Sequence, residues 1–390
     1  MKNIVILGST GSIGVNALDV VERNGGRFNV VGLAAGSNLP LLLEQINKFS
    51  PSKVALYDSS LAKELREILS GKKIEVLSGI EGIIEVAAME QGDLVLSAIV
   101  GAAGLLPTYS AIKSGKDVAL ANKESLVMAG AIMMAEAKRS GAKIIPVDSE
   151  HSAIFQALNG DVKKKNVKRL IITGSGGPFR GCSADRLNEV TVAEALRHPN
   201  WSMGKKISID SATMMNKGFE MIEARWLFDL EPGKIDILIH PQSIVHSMVE
   251  FVDTSIIAQL GIPDMRLPIS YALNYPDRID VSLPSLNLEE ITPLTFEKPD
   301  TDIFPSIKFA YQAISKGDTY PAVLNAANEV AVQAFISGEI RFPDIPVVIE
   351  ETISAHNPFK VKNISDILRA DKWGIKKGRA VKEGLVRKGS

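Results

Sequence analysis

The chain is poor in cysteine, since its 390 residues include only Cys182. A single cysteine excludes an intrachain disulfide and a cysteine-based zinc site, and it suits a reducing compartment. Cys182 lies beyond a glycine-rich turn with no evident activating neighbour, which argues against a thiol mechanism.

Two further features are missing: an excess of charge of one sign and a long apolar run. The 44 lysines and arginines nearly balance the 45 aspartates and glutamates, and the formal net charge is −1. This balance gives no indication of a nucleic-acid or membrane surface. No apolar stretch reaches the ~18 residues that a membrane helix needs, and the N-terminal apolar run is too short for a signal peptide. We therefore expect a cytoplasmic protein without nucleic-acid or membrane partners.

What the chain does have, at its start, is a strand, a glycine turn and a helix. The apolar run 4–7 precedes Gly8, Gly11 and Gly14, and helical spacing follows from Val15. Glycines let the backbone approach a pyrophosphate, whose charge the helix N-terminus stabilises. Because the spacing is G-x-x-G-x-x-G, a plain tight turn is the alternative to dinucleotide binding. Further apolar strands, separated by helices, predict a parallel sheet covered on both faces; they start near residues 28, 53, 93, 117 and 143.

The end of the second strand bears on the choice of cofactor. An NAD enzyme usually has an acid about 20 residues past its glycines, where it binds the ribose hydroxyls. Here Ser37 and Asn38 occupy that place and can donate hydrogen bonds to a 2′-phosphate. The pattern therefore favours NADP(H).

A carboxylate pair follows the last of these strands. Asp148 and Glu150 flank Ser149, and in an extended chain both carboxylates would point to one side. Carboxylate oxygens are the ligands that Mg²⁺ and Mn²⁺ prefer. The alternative is the first turn of a helix over residues 151–158, where acidic residues are favoured.

The middle of the chain carries three more candidate segments. Ser175 follows a strand and lies among glycines, so it can present a hydroxyl to a phosphate or be part of a mere loop. The loop 197–205 holds His198, Trp201 and Met203 and is either a lid over a ligand or a core plug. In the helix predicted for 211–226, Asn216, Lys217, Glu220 and Glu223 lie opposite an apolar face. Lys217 and Glu220 are either site residues or an ion pair on a solvated face.

These segments resemble the 1-deoxy-D-xylulose 5-phosphate reductoisomerase family, in order and over nearly the whole chain. The matching blocks are residues 8–14, 121–126, 146–151, 173–179, 198–204, 211–220 and 238–246. The resemblance implies NADPH- and divalent-metal-dependent rearrangement and reduction of 1-deoxy-D-xylulose 5-phosphate to 2-C-methyl-D-erythritol 4-phosphate, an isoprenoid precursor. The metal would be Mg, Mn or Co, and the protein would be a homodimer.

The resemblance also implies a role for individual residues. Asp148, Glu150 and Glu220 match the metal ligands and, with Lys217, the catalytic set. The substrate contacts would be Ser149, Glu150, Ser175, His198, Trp201, Met203, Ser211, Asn216, Lys217 and Glu220. The NADPH contacts would be Thr10, Gly11, Ser12, Ile13, Gly36, Ser37, Asn38, Asn122, Lys123, Glu124 and Gly204. Some relatives carry Lys or Arg where this chain has Ser37. For Asn122 to Glu124, the residues alone favour a helix cap over a ligand contact.

We expect an α/β protein with three parts: an N-terminal Rossmann-like parallel sheet, a central α+β catalytic domain and a C-terminal helical bundle. The predicted domains are residues 1–148 and 149–281, a linker over 282–303, and helices over 304–390, with a frayed basic tail from 376. Two competing functions remain at this point. A semialdehyde or hydroxy-acid dehydrogenase would turn over without metal, and a cofactor-sensing regulator would bind NADPH without consuming it.

Overall fold

The structure is a computed structural model, described here for residues 1–158, 164–201, 203–291 and 293–389. Ser202 of the predicted lid therefore lies outside the described residues, as does Ser390 of the tail. The chain forms two compact units. The first comprises Met1–Ser125, Met133–Ser152 and Asp264–Pro284; the second comprises Leu126–Ile132, Ala153–Pro263 and the remainder from Ser285. The three-domain boundaries drawn from the sequence stay a prediction.

The strands, in chain order, are β1 (Lys2–Leu7), β2 (Phe28–Ala35), β3 (Lys53–Leu56), β4 (Glu75–Ser78), β5 (Leu94–Ser97), β6 (Asp117–Leu120), β7 (Ile144–Pro146), β8 (Val167–Gly174), β9 (Ile235–Ile239), β10 (Val245–Phe251) and β11 (Ile256–Leu260).

The helices are α1 (Ser12–Arg23), α2 (Leu39–Phe49), α3 (Ser59–Ile68), α4 (Gly79–Ala87), α5 (Leu105–Lys113), α6 (Lys123–Ser140), α7 (Ser149–Ala157), α8 (Ala184–Leu187), α9 (Val192–Ala195), α10 (Lys205–Ala212), α11 (Met215–Phe228), α12 (Arg266–Asn274), α13 (Ser306–Lys316), α14 (Tyr320–Ile336), α15 (Asp344–Ser354) and α16 (Ile364–Gly389).

The first unit is built on a seven-stranded sheet in the order β4-β3-β2-β1-β5-β6-β7, and all its pairings are parallel. Ile4, Val5, Ile6 and Leu7 of β1 are fully buried, as expected for a central strand with both faces covered. The strand order reverses between β1 and β5, which is where α/β sheets of this kind bind their ligands. The predicted parallel sheet is confirmed. Edge strand β4 was missed because only one of its four residues is buried.

The second unit contains a four-stranded sheet in the order β11-β10-β8-β9. Strand β10 runs antiparallel to β8 and β11, whereas β9 runs parallel to β8. The carboxyl ends of β8 and β9 therefore lie at the same edge of the sheet. The backbone N–H of His240, just after β9, donates to the carbonyl of Gly174 at the end of β8 (2.7 Å).

The C-terminal part is helical, as predicted, but the expectation of a frayed tail is wrong. Helix α16 continues to Gly389 and packs against α14 and α15. Its buried residues include Ile367, Ala370 and Val381. A Cβ on Gly374 would lie 2.7 Å from the Cβ of Ala326, so α16 and α14 approach closely at that point. The tail is rich in lysine and arginine, which lie on the opposite face of α16. Its basic composition alone therefore did not indicate the apolar stripe.

Within the described residues, the structure has no helix that is both long and apolar enough to span a membrane. The cytoplasmic location stays a prediction.

Candidate active site

The glycine turn of the first unit packs tightly against its own sheet. Gly8 has φ +83°, and a Cβ there would lie 2.6 Å from the carbonyl oxygen of Ala98, just after β5. A Cβ on Gly14 would lie 2.4 Å from the carbonyl oxygen of Gly8. Side chains at these two positions would push the helix away from the strand. Both glycines are therefore required for the strand-turn-helix geometry of a pyrophosphate site.

The N-terminus of α1 is available to an anion. Gly11 is its N-cap residue and supplies no side-chain cap, and Ser12 in the first turn is exposed. Thr10 and Ile13 are partly exposed on either side of these residues. Backbone N–H groups at such an end, with the positive end of the helix dipole, are suited to a phosphate.

The predicted 2′-phosphate site at residues 36–38 lies at the exposed end of β2. Asn38 is the N-cap residue of α2, and its Oδ1 accepts a hydrogen bond from the backbone N–H of Leu41 (3.3 Å). This leaves the Nδ2 group of Asn38 as the donor on that side chain. Gly36 has open space where a Cβ would be.

Asn122 is a helix cap, which was one of its two interpretations. Its Oδ1 accepts from Ser125, and its Nδ2 donates to the carbonyls of Ile99 (2.5 Å) and Gly101 (3.0 Å). The side chain therefore shapes the loop after β5. The NADPH contacts expected for Asn122 and Glu124 stay a prediction.

The carboxylate pair lies at a helix start, so the extended arrangement expected for it is wrong. Strand β7 ends at Pro146 and α7 begins at Ser149, so Asp148 directly precedes the helix and Glu150 lies in its first turn. The N-terminal end of α7 favours both negative charges. The ammonium group of Lys123 contacts Asp148 at 2.6 Å, with both side chains largely buried, and Ser149 Oγ donates to Glu150 at 2.6 Å.

The second unit gathers several of the predicted substrate contacts beyond the end of β8. A Cβ on Gly174 would lie 2.5 Å from Cε of Lys217, so the lysine stem lies directly against this backbone. Gly177 has φ +70°, and a Cβ there would lie 2.7 Å from the carbonyl oxygen of Ser211. The structure therefore brings the Ser175 loop, the end of α10 and the start of α11 together. Hydroxyl, ammonium and backbone N–H groups in one place can hold a phosphate.

Lys217 and Glu220 do not lie on a solvated face, so that alternative is wrong. Lys217 Nζ and Glu220 Oε2 are 2.6 Å apart, and the two residues are 7% and 0% exposed. Asn216 Nδ2 donates to the other carboxylate oxygen of Glu220 at 2.5 Å. Helix α13 covers part of α11, where a Cβ on Gly218 would lie 2.8 Å from the Cβ of Ala310. A buried ion pair of this kind is tolerated only when its remaining polar atoms are also bonded.

The predicted lid is tied to the same strand ends. His198 Nε2 lies 3.0 Å from Ser175 Oγ, and the Trp201 ring lies 6.3 Å from the His246 ring, centroid to centroid. Trp201 and Met203 are half-buried, and Gly204 is the exposed N-cap of α10. Asn200 had no role assigned from the sequence. Its Nδ2 group donates to the carbonyl of Pro241 and to Oγ of Ser243, which lie about 40 residues further along the chain.

Three family models match the chain. The model described as 1-deoxy-D-xylulose 5-phosphate reductoisomerase covers residues 4–130, and two C-terminal domain models of the same enzyme cover residues 144–228 and 260–377. Relatives of that name from Geotalea uraniireducens and Chlorobaculum tepidum are 54% and 51% identical, each over 97% of this chain and over 97% and 99% of their own.

Solved structures agree with these relatives. The reductoisomerase from Zymomonas mobilis in complex with NADPH is 43% identical, with a TM-score of 0.92 over 98% of this chain and 99% of its own. A second reductoisomerase, in complex with NADPH, fosmidomycin and magnesium, is 42% identical, with a TM-score of 0.93 over 99% of both chains.

A parallel sheet with a glycine turn at its switch point, together with a polar cluster suited to a phosphate, is typical of dinucleotide-dependent oxidoreductases. Identity of 54% over nearly the full length makes the assignment specific. The chain belongs to the 1-deoxy-D-xylulose 5-phosphate reductoisomerase family, and the resemblance drawn from the sequence is confirmed.

Proposed function

We propose that this chain converts 1-deoxy-D-xylulose 5-phosphate into 2-C-methyl-D-erythritol 4-phosphate with NADPH and a divalent metal ion. The observation that carries the proposal is 54% identity to a reductoisomerase over 97% of the chain. A solved structure of another reductoisomerase is a complex with NADPH, fosmidomycin and magnesium. A metal-independent dehydrogenase gives no role to Asp148, Glu150 and Glu220. The metal would be magnesium, manganese or cobalt.

We propose Asp148, Glu150 and Glu220 as the metal ligands. Their donor chemistry fits the ion, because hard divalent cations prefer carboxylate oxygen. A ligating carboxylate must be deprotonated. Asp148 and Glu220 each lie 2.6 Å from a lysine ammonium, of Lys123 and Lys217 respectively, which favours the ionised form.

We propose that the substrate phosphate binds to Ser175, Ser211, Asn216 and Lys217, and that Ser149 and Asn216 contact substrate hydroxyls. Lys217 supplies a buried positive charge, and the loop after β8 supplies a hydroxyl and backbone N–H groups. His198, Trp201 and Met203 would cover the bound substrate and exclude water, which strengthens every charge interaction below them.

NADPH would bind to the glycine turn through Thr10, Gly11, Ser12 and Ile13, and its 2′-phosphate to Gly36, Ser37 and Asn38. Asn122, Lys123, Glu124 and Gly204 complete the proposed contacts. When bound, the metal supplies Lewis-acid polarisation of the substrate carbonyl, and the cofactor supplies the hydride. The residues themselves contribute positioning and charge, which can lower a barrier by ~7–11 kcal/mol when reactants are well oriented.

One assay separates this function from its two competitors, a metal-independent dehydrogenase and a cofactor sensor. NADPH oxidation is followed with 1-deoxy-D-xylulose 5-phosphate, first as purified, then with EDTA, then with Mn²⁺ restored. We expect turnover that EDTA abolishes and Mn²⁺ restores. Turnover that persists in EDTA would favour the metal-independent dehydrogenase, and NADPH binding without oxidation would favour a cofactor sensor.

We further propose that the protein is a homodimer paired through β11. This strand is the edge of its sheet, and Ile256, Ile257 and Leu260 on it are 51%, 48% and 38% exposed. An exposed apolar edge strand is a template for pairing with another chain, and two copies of the same edge pair about a two-fold axis. Sedimentation equilibrium should show a dimer for the wild type and a monomer for Ile257→Lys. A dimer in both would place the interface elsewhere.

A further inference from the structure

The backbone that follows His198 in the lid folds back onto the imidazole ring of that residue. The backbone N–H groups of Asn200 and Trp201 donate to Nδ1 of His198, at 3.2 and 3.0 Å. An imidazole nitrogen that accepts two hydrogen bonds carries a lone pair and no proton. In the neutral ring, the proton is therefore on Nε2. The turn itself selects the tautomer of His198.

The choice of tautomer sets the direction of the hydrogen bond to Ser175. Nε2 of His198 lies 3.0 Å from Ser175 Oγ and, carrying the proton, it donates. The backbone N–H of Gly177 also donates to Ser175 Oγ, at 3.2 Å. With two donors on its oxygen, the serine hydroxyl is left to donate its own proton. A phosphate monoester near neutral pH is almost wholly an acceptor, so this orientation is the one that binds it.

The side chain of Asn200 holds this turn to the sheet. Its Nδ2 group uses both protons, donating to the carbonyl of Pro241 (2.8 Å) and to Oγ of Ser243 (2.7 Å). The segment it contacts follows β9 and is itself bonded to β8 through His240 and Gly174. The ends of β8 and β9 therefore position both the lid turn and Ser175.

We infer that Asn200 is a positioning residue: it holds the lid turn so that His198, as the Nε2–H tautomer, orients the Ser175 hydroxyl as a donor to the substrate phosphate. The inference rests on the proposed function, because it takes the Ser175 loop to be the phosphate site. It assigns the effect of Asn200 to phosphate recognition and not to hydride transfer or cofactor binding.

The test compares Asn200→Asp, which keeps the shape of the side chain but has no protons to donate, with Asn200→Ala and Ser243→Ala. Asn188→Ala is the matched control, since Asn188 is an exposed asparagine of the same unit that bonds only locally. Steady-state kinetics give KM for the sugar phosphate, KM for NADPH, kcat, and Ki for inorganic phosphate as the probe of the site. Melting temperatures check that each variant folds.

We expect both Asn200 variants to raise the sugar-phosphate KM and the phosphate Ki together, by about tenfold for the loss of two hydrogen bonds. Ser243→Ala removes one acceptor and should have a smaller effect. KM for NADPH should stay within about twofold and Asn188→Ala should match the wild type, as for residues outside the contact. A merely structural role would lower the melting temperature and spread the loss over all the kinetic constants.

The second readout does not need activity. Nitrogen-15 NMR of the five histidines, assigned by comparison with His198→Gln, reports which ring nitrogen carries the proton. We expect the Nε2–H form of His198 in the wild type and a tautomer mixture in Asn200→Asp. If the protein fails to turn over the sugar phosphate but shows this change, the proposed function fails, whereas the role of Asn200 in selecting the His198 tautomer stands. If either the tautomer or the phosphate Ki is unchanged in both Asn200 variants, the inference is overturned.

Discussion

The glycine turn of the first unit and the Ser175 loop of the second unit both follow the carboxyl end of a buried strand, yet they offer an anion different donors. The turn after β1 offers backbone N–H groups at the start of α1, with no side-chain cap. The loop after β8 offers a serine hydroxyl held by His198 and, beneath it, a lysine already paired with Glu220.

The difference predicts how each region responds to mutation. A backbone N–H donor can be removed only by a substitution to proline, and any other substitution can only displace it through an added side chain. A side-chain donor can be removed singly, but removal leaves its buried partner uncompensated, which costs more than the contact itself. The first region should therefore fail through steric changes, and the second through changes of charge.

The sharpest test of the charge-dependent region is Glu220→Gln. We expect kcat to fall by more than about 100-fold, since even residues that only support metal ligands cost 10–100-fold. The affinity for Mn²⁺ should fall with it, whereas the Kd for NADPH should not change. The control is Glu250→Gln, a buried carboxylate of the same unit paired with Lys168 (2.6 Å) and Arg169 (2.5 Å), for which kcat should be retained.

Combining Glu220→Gln with Asp148→Asn and Glu150→Gln extends this test. If the three carboxylates hold one ion, the triple variant should be no slower than the slowest single variant, because one substitution already dismantles the site. Losses that multiply would count against a shared ion.

The corresponding steric test in the first region is Gly14→Ala. Its Cβ would lie 2.4 Å from the carbonyl oxygen of Gly8, so the helix start must move. Overpacking of about 2 kcal/mol would weaken NADPH binding by about 30-fold. Fluorescence titration with NADPH measures it. Gly25→Ala, in the same unit and with only one distant neighbour at 3.9 Å, should bind normally. Equal affinities for both variants would show that the cofactor does not use this turn.

Ser37→Asp tests whether a side chain of the first unit also contributes to cofactor preference. A carboxylate ~4 Å from the 2′-phosphate costs about 1 kcal/mol per charge pair in water and about 4 at an effective dielectric of 20. The NADPH/NADH ratio of kcat/KM should fall at least about tenfold, or ~1.4 kcal/mol. Ser37→Arg should raise it, more strongly at low salt. Kinetics with both cofactors measure the ratio, and unchanged ratios in both variants would place residue 37 away from the phosphate.

The mildest expected effect concerns Asp371, a buried carboxylate on α16. Burial, and to a lesser degree the charge of Glu329, raises the pKa of its carboxyl to about 6. Between the unfolded pKa, near 4, and 6, the folded state binds more protons, so stability decreases as the pH rises through that window. Asp371→Asn should therefore raise the melting temperature by a few degrees above pH 7 and by nothing near pH 4, with kcat unchanged. Glu383→Gln, exposed on the same helix, is the control, and a gain that is independent of pH would contradict the assignment.

Features that depend on residues close together in the chain could be predicted from the sequence. Gly8, Gly11 and Gly14 between a strand and a helix predicted the nucleotide fold, because close backbone approach demands glycine at those spacings. Apolar runs separated by helices predicted the parallel sheet, and the order of the motif blocks identified the family. Each of these signals lies within a short stretch of chain.

Which polar residues are buried, and what they contact, depends on how distant parts of the chain pack in the folded protein. Helical spacing placed Lys217 and Glu220 on one side of α11, but it could not show that the side is covered. The same holds for Asn200, whose partners Pro241 and Ser243 lie far along the chain. Contacts of this kind leave no periodicity in the sequence, because they arise when strands such as β8 and β9 pair and bring their ends to one edge.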